Sequence, residues 1–187
     1  MQYQTISDIY EANEAIRNKL ISVVSTLIDE QTSKPAEDEK WSIAQIVEHV
    51  SIVDGGMSRI CAKLLGKAEA DGKLSDGSID LSNFAAKAAE AGNAKLEAPE
   101  MVRPTGERTI AESLAVLEQN QKAFQDLQPL FEKFDGNANK FPHPFFGDLS
   151  ALEWLVLAGG HQARHLGQIK RILEKSSSGM AAVSASE

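Results

Sequence analysis

Apolar side chains recur at steps of three and four along four stretches of the chain. That spacing gathers them on one face of an α-helix. The first stretch runs from about Thr5 to Glu30, with Ile9, Ala12, Ile16, Leu20, Val23, Val24 and Leu27 in register. The polar, proline-containing linker QTSKPAEDEK follows and reads as a loop. A second helix is expected just after Trp41, where Ser42 and Gln45 have capping-box spacing. Ile46, His49, Ile52, Val53, Ile60 and Leu64 lie on its stripe, and Gly55 and Gly56 interrupt it, for close packing or for a kink. A third helix is expected from Ile110 to Phe134, with Leu114, Leu117, Phe124, Leu127 and Leu130 facing inward. The fourth starts near Ser150, where Ser150 and Glu153 repeat the capping-box spacing, and ends near Lys175.

Residues 66–108 lack this regularity and are rich in Ala, Gly, Lys, Asp and Ser. Only Leu81 to Ala91 reads as a short helix there. So long a connection is often functional or mobile; the plainer reading is a crossover between helices that run parallel. DGNANKFPHPFFGD reads as a turn-rich loop, and no internal repeat or convincing strand pattern is found. The expectation is an all-α four-helix bundle with a long crossover connection, one domain over residues 1–175. The small, polar segment 176–187 is expected to be a disordered tail.

Composition narrows the possible partners. A chain of 187 residues with 42% hydrophobic side chains can bury a substantial core. The net charge of −8 repels phosphate backbones and anionic lipid, so no nucleic acid and no membrane partner is expected. No apolar run approaches the roughly 18 residues a membrane span needs. The N-terminal residues lack the basic-then-apolar pattern of a signal peptide. Cys61 is the one cysteine, which rules out an intrachain disulfide and fits a reducing compartment. A cytoplasmic location is expected.

The candidate chemistry rests on three of the four histidines. In HQARH, His161 and His165 are four residues apart, so they lie about 40° apart around a helix and about 6 Å apart along it. Side chains at that spacing meet on one face. Trp154, Leu157, Gln168 and Ile172 fall near the same stripe, which points the pair inward. His49 adds a third imidazole from the second helix. Three neutral nitrogens on one divalent metal leave a coordination position for water or a small-molecule substrate. The competing reading is hydrogen-bonded core histidines, which the HxxxH spacing alone does not exclude. Gln162 follows the first histidine, so the glutamate of a HExxH metalloprotease is absent. Gly159 and Gly160 fit either a close helix contact or substrate access. Cys61 lies about 18 Å along the helix from His49 and reads as a buried, inert thiol.

Four further residues are candidates to line or support the site. Glu48 is a general base or an acceptor for an imidazole N–H, though its direction, about 100° from His49, favours solvent. Gln168 is a hydrogen-bonding support for the ligand stripe or a plain interior amide. Trp154 lines the stripe. His143, in FPHPFF, is either a proton shuttle at the site mouth or a loop-packing residue. Arg164, about 100° from His165, reads as a solvated arginine.

Three motifs together resemble the DinB/YfiT-like family of metalloenzymes: Trp41-Ser42 followed by Glu48-His49, then HPFFGDLSALEW, then HQARHLGQI. The resemblance spans the chain apart from its tail. It implies a four-helix bundle with a long crossover, and a three-histidine divalent-metal site with His49, His161 and His165 as ligands, zinc or nickel being typical. It also implies a thiol-dependent S-transferase or a hydrolase, a low-molecular-weight thiol such as bacillithiol or mycothiol as cofactor, and a homodimer. The alternative function is a non-catalytic metal-binding or stress-response protein. Residues 66–108 depart from the family pattern, and no family property transfers to them.

Overall fold

A computed structural model of the chain describes residues 3–36, 38–91 and 97–184. Four long helices dominate: α1 (Ile6–Val24), α3 (Ile43–Ala70), α5 (Ile110–Lys133) and α6 (Ala151–Ser184). Shorter pieces lie between them: α2 (Asp29–Thr32), α4 (Ser82–Ala91), a 3₁₀ turn (Glu100–Val102) and a hairpin of β1 (Lys140–His143) and β2 (Gly147–Ser150). Both expected capping boxes form. Ser42 Oγ accepts from Gln45 N at 3.2 Å while Gln45 Oε1 accepts from Ser42 N at 2.9 Å. Ser150 Oγ and Glu153 Oε2 make the matching pair at 3.2 and 2.7 Å. These bonds satisfy backbone donors that a helix start leaves free.

The bundle packs α3 against α5 and α6, and α1 against α6 and α5. An isolated bridge joins Leu74 to Phe134, just past the ends of α3 and α5. These two helices therefore end at the same pole and run parallel, which requires the long crossover. α3 and α6 run antiparallel, since His49 meets His161 while Cys61 meets Ala151. The apolar core forms two blocks. One gathers Ile9, Leu65, Phe131, Leu149 and Leu155; the other gathers Leu20, Ile46, Val47, Leu117 and Ile169. Between them, Asn13, Arg17, Ser51, Asp54 and Gln162 are buried on α1, α3 and α6.

Three expectations change, and one left open is decided. The first helix stops at Val24, with Ser25 as its cap and Thr26 Oγ1 donating to Val23 O at 2.9 Å; the residues expected to continue it form the separate α2. The turn-rich loop contains strands, since Lys140 pairs with Ser150 and His143 with Gly147 around a turn that Gly147 closes at φ +66°. Strands this short, one carrying Pro142, give no alternation a sequence can reveal. α3 passes through Gly55 and Gly56 unbroken: Gly55 lies against Asn120 of α5, and nothing packs on Gly56. Finally, α6 runs past Lys175 to Ser184, with no proline to interrupt it. The last three residues of the expected tail lie outside the described residues. No helix among the described residues is long and apolar enough to cross a membrane.

Candidate metal centre

α3 and α6 bring His49, His161 and His165 together. Their ring centroids are 5.1 Å (49–161), 5.0 Å (49–165) and 4.5 Å (161–165) apart. One nitrogen from each lies within 4.8 Å of the other two. Among the described residues, no other group of three His, Cys, Asp or Glu side chains shares this spacing. His49 and His165 are buried and His161 half-buried.

The outward nitrogens fix the inward ones. His49 Nδ1 lies 2.7 Å from Val102 O, a carbonyl that can only accept, so Nδ1 carries the proton and Nε2 an electron pair. His165 Nδ1 lies 2.9 Å from Gln168 Oε1, and Gln168 Nε2 donates to Glu39 Oε2 at 2.6 Å. This chain sets His165 Nδ1 as donor and leaves its Nε2 electron pair facing inward. His49 Nε2 and His161 Nε2 are 3.2 Å apart. A proton on His161 or a cation between the two rings satisfies that approach. His161 Nδ1 is buried without a hydrogen-bond partner.

Burial keeps these rings neutral. It pushes His161 well below the usual histidine value, and the adjoining His165 and His49 push in the same direction. Burial, followed by the charge of Arg164, lowers His165 to about 3. His49 is lowered chiefly by burial, against the opposing bond to Val102. Neutral imidazole is the form that binds metals. The donor set therefore fits a divalent cation held by three nitrogens from two helices.

The neighbours of the cluster depart from the sequence expectations in instructive ways. Glu48 does not face solvent: it is 1% exposed, accepting from Thr105 N at 3.0 Å, Thr105 Oγ1 at 2.8 Å and Gly106 N at 2.9 Å. The crossover covers that flank of α3, and nothing in the spacing of α3 announces it. Gly106 adopts φ +79°, a conformation L side chains rarely take, to present its N–H there. Arg164 is not simply solvated, since its Nη2 donates to His165 Nε2 at 2.7 Å. A long side chain can reach back across the 100° that separates the two positions.

His143 takes the loop-packing role. Its Nδ1 accepts from Phe145 N at 3.1 Å and Phe146 N at 3.3 Å, and burial lowers it to about 4. Trp154 is buried with its ring 5.1 Å from that of His143, so it supports the hairpin. Trp41 stands over His49 instead, at 4.9 Å between ring centroids. Cys61 is fully buried near Ala151 O, its thiol pushed up by burial, and takes no part in the cluster. Gly159 serves helix packing, because an added Cβ would overlap Asn13 of α1; Gly160 has nothing packed on it. Sequence reasoning missed Val102, Glu39 and Thr105. A backbone carbonyl has no sequence signature, and the other two sit in non-periodic connections.

Comparison with known proteins identifies the family and the fold. The sequence pattern of the DinB superfamily matches residues 12–169, a span that holds all three histidines. The chain belongs to the DinB superfamily. A relative within it, the uncharacterized protein YuaE of Bacillus subtilis (strain 168), is 28% identical over 154 residues, covering 80% of this chain and 87% of YuaE. The crystal structure of TT2238, described as a four-helix bundle protein, matches the fold with a TM-score of 0.61 at 22% identity. It covers 89% of this chain and 99% of TT2238. DinB-like architecture and the four-helix bundle thus stand together, with the histidine cluster between two of the long helices.

Proposed function

We propose that this DinB-like protein is a divalent-metal-dependent enzyme acting on a small molecule, with His49, His161 and His165 as the metal ligands. The observation that carries the reading is the convergence of imidazole electron pairs. Val102 and Gln168 hold the outward nitrogens of His49 and His165, and His49 Nε2 lies 3.2 Å from His161 Nε2. Such a metal supplies Lewis acidity, enough to make a water or a thiol reactive near neutral pH.

The protein's own residues do the rest. Val102 O and Gln168 orient two rings, burial keeps all three rings neutral, and the Gln168–Glu39 bond ties α6 to the linker before α3. The family resemblance favours thiol-dependent S-transfer or hydrolysis, zinc or nickel as the metal, a homodimer and a cytoplasmic setting.

The test begins with metal content. Protein purified without an affinity tag is expected to carry about one equivalent of divalent metal, and zinc or nickel added after chelation should raise its Tm. No metal and no shift would overturn the metal site. The loaded protein is then assayed for S-transfer from several thiols to an electrophile, and for ester and amide hydrolysis. Turnover that chelator abolishes is the expected result. Stoichiometric metal with no turnover in either panel would instead favour a non-catalytic metal-binding role.

A further inference from the structure

Glu48 contributes to the centre without pointing at it. Its carboxylate is buried on α3 and receives three hydrogen bonds, all from Thr105 and Gly106 of the crossover. With both oxygens engaged in this way, it is poorly placed to act as a free base. The same stretch of crossover carries the 3₁₀ turn, and Val102 in that turn provides the carbonyl that holds His49 Nδ1. Adjacent residues of α3 therefore grip one loop at two points. One grip takes N–H groups and a hydroxyl, and the other offers an imidazole N–H to a carbonyl.

We propose that Glu48 is a positioning residue for the metal centre, latching residues 102–106 so that Val102 O fixes the tautomer and direction of His49. The inference rests on the metal-site reading for its consequence and on hydrogen-bond geometry alone for the latch. Acceptors on the far nitrogen of a metal-binding histidine typically change metal affinity by about 10–100-fold when lost. A carboxylate suits the role because it accepts from all three donors. A glutamine would turn an N–H₂ toward at least one of them.

The latch is read first in metal-free protein. The Nδ1–H proton of His49 should be protected from exchange and visible by NMR in the wild type, as should that of His165, which bonds Gln168 instead. Glu48→Gln should lose the His49 signal and keep the His165 signal. Thr105→Val, a milder change that removes one donor, should show the same loss in part. In a folded variant, equal weakening of both signals would overturn the proposal, as would a His49 proton that survives both substitutions.

The consequence is read by titrating cobalt(II) into each protein and recording its visible absorption. Glu48→Gln is expected to bind about 10–100-fold more weakly with altered band positions, and Glu48→Asp to recover part of the affinity. Unchanged affinity and spectrum would overturn the positioning role. If Glu48→Gln does not fold, Thr105→Val decides by the same two readings. Wild-type protein that binds no cobalt would sink the metal site itself, a result separate from the NMR reading of the latch.

Discussion

His49 and Asp54 sit on the same helix, and each meets side chains of α6. His49 meets His161 and His165; Asp54 accepts a hydrogen bond from Gln162 Nε2. Both clusters are buried and polar, yet they differ in construction. The histidines are like groups, with two outward nitrogens bonded and their electron pairs turned to one point. The Asp54 cluster mixes an acid, an amide and the guanidinium of Arg17, whose charge acts on Asp54. Arg17 Nε, Asp54 Oδ1 and Gln162 Oε1 lack hydrogen-bond partners. Arg17 also lines a pocket of about 220 Å³ between α1, α5 and α6. Buried polarity alone therefore does not mark a site in this bundle. Convergence of identical donors, two of them fixed from behind, is the distinguishing feature.

The largest test of that distinction is metal binding. His161→Ala should weaken zinc or nickel binding by about 100-fold or more, beyond the scale expected for a lost outer hydrogen bond. Asp54→Asn should leave affinity within about twofold, because it keeps the volume and removes no converging nitrogen. Isothermal titration of both variants measures this. If Asp54→Asn lost affinity as severely as His161→Ala, the two clusters would be one unit and the comparison would break.

The pH dependence of stability separates them with opposite signs. Burial lowers the histidines below their unfolded value of 6.5, His165 to about 3. Between those values the unfolded chain binds more protons, so stability rises with pH through this window and is lost as pH falls. Asp54 is raised by burial from 3.8 to about 7. There the folded chain holds more protons, so its contribution is present below 3.8 and is lost as pH rises through about 7. In chelator-treated protein, the Tm of Asp54→Asn relative to wild type should increase from pH 5 to pH 8. The Tm advantage of wild type over His165→Gln should shrink from pH 7 to pH 4. Thermal scans across pH check both, and trends of the same sign would contradict the assignment.

What the chain reveals in advance follows from the reach of helical periodicity. The stripe of α6 is enough to turn His161 and His165 inward, and the spacings Ser42–Gln45 and Ser150–Glu153 mark two helix starts. The family motifs add the pairing of His49 with them. Periodicity is silent about what a non-periodic segment lays on a helix flank. Glu48, judged by angle, belongs in solvent; the crossover covers it instead. Arg164 shows the same limit, because a wheel gives the direction of Cβ and not the path of a flexible side chain. Gln162 reads as a departure from HExxH, and its bond to Asp54 depends on how α3 and α6 are rotated against each other.

Arg164 gives the smallest and finest test. Its Nη2 donates into His165 Nε2 at 2.7 Å, the electron pair a metal would take. A guanidinium and a cation cannot share that pair, so metal binding must move Arg164 aside. Arg17 has no such competitor, and above about pH 7 its neighbour Asp54 presents a charge that attracts it. Arg164→Met should therefore raise metal affinity by about three- to tenfold, the scale of one hydrogen bond no longer lost plus a weakened charge repulsion. The corresponding Arg17→Met should leave metal affinity unchanged and lower Tm at pH 8, where Asp54 is ionised and would be stranded without its cation. Competition titrations against a chelator of known affinity resolve differences of this size. A weaker metal site in Arg164→Met would show that the guanidinium supports the bound state rather than opposing it.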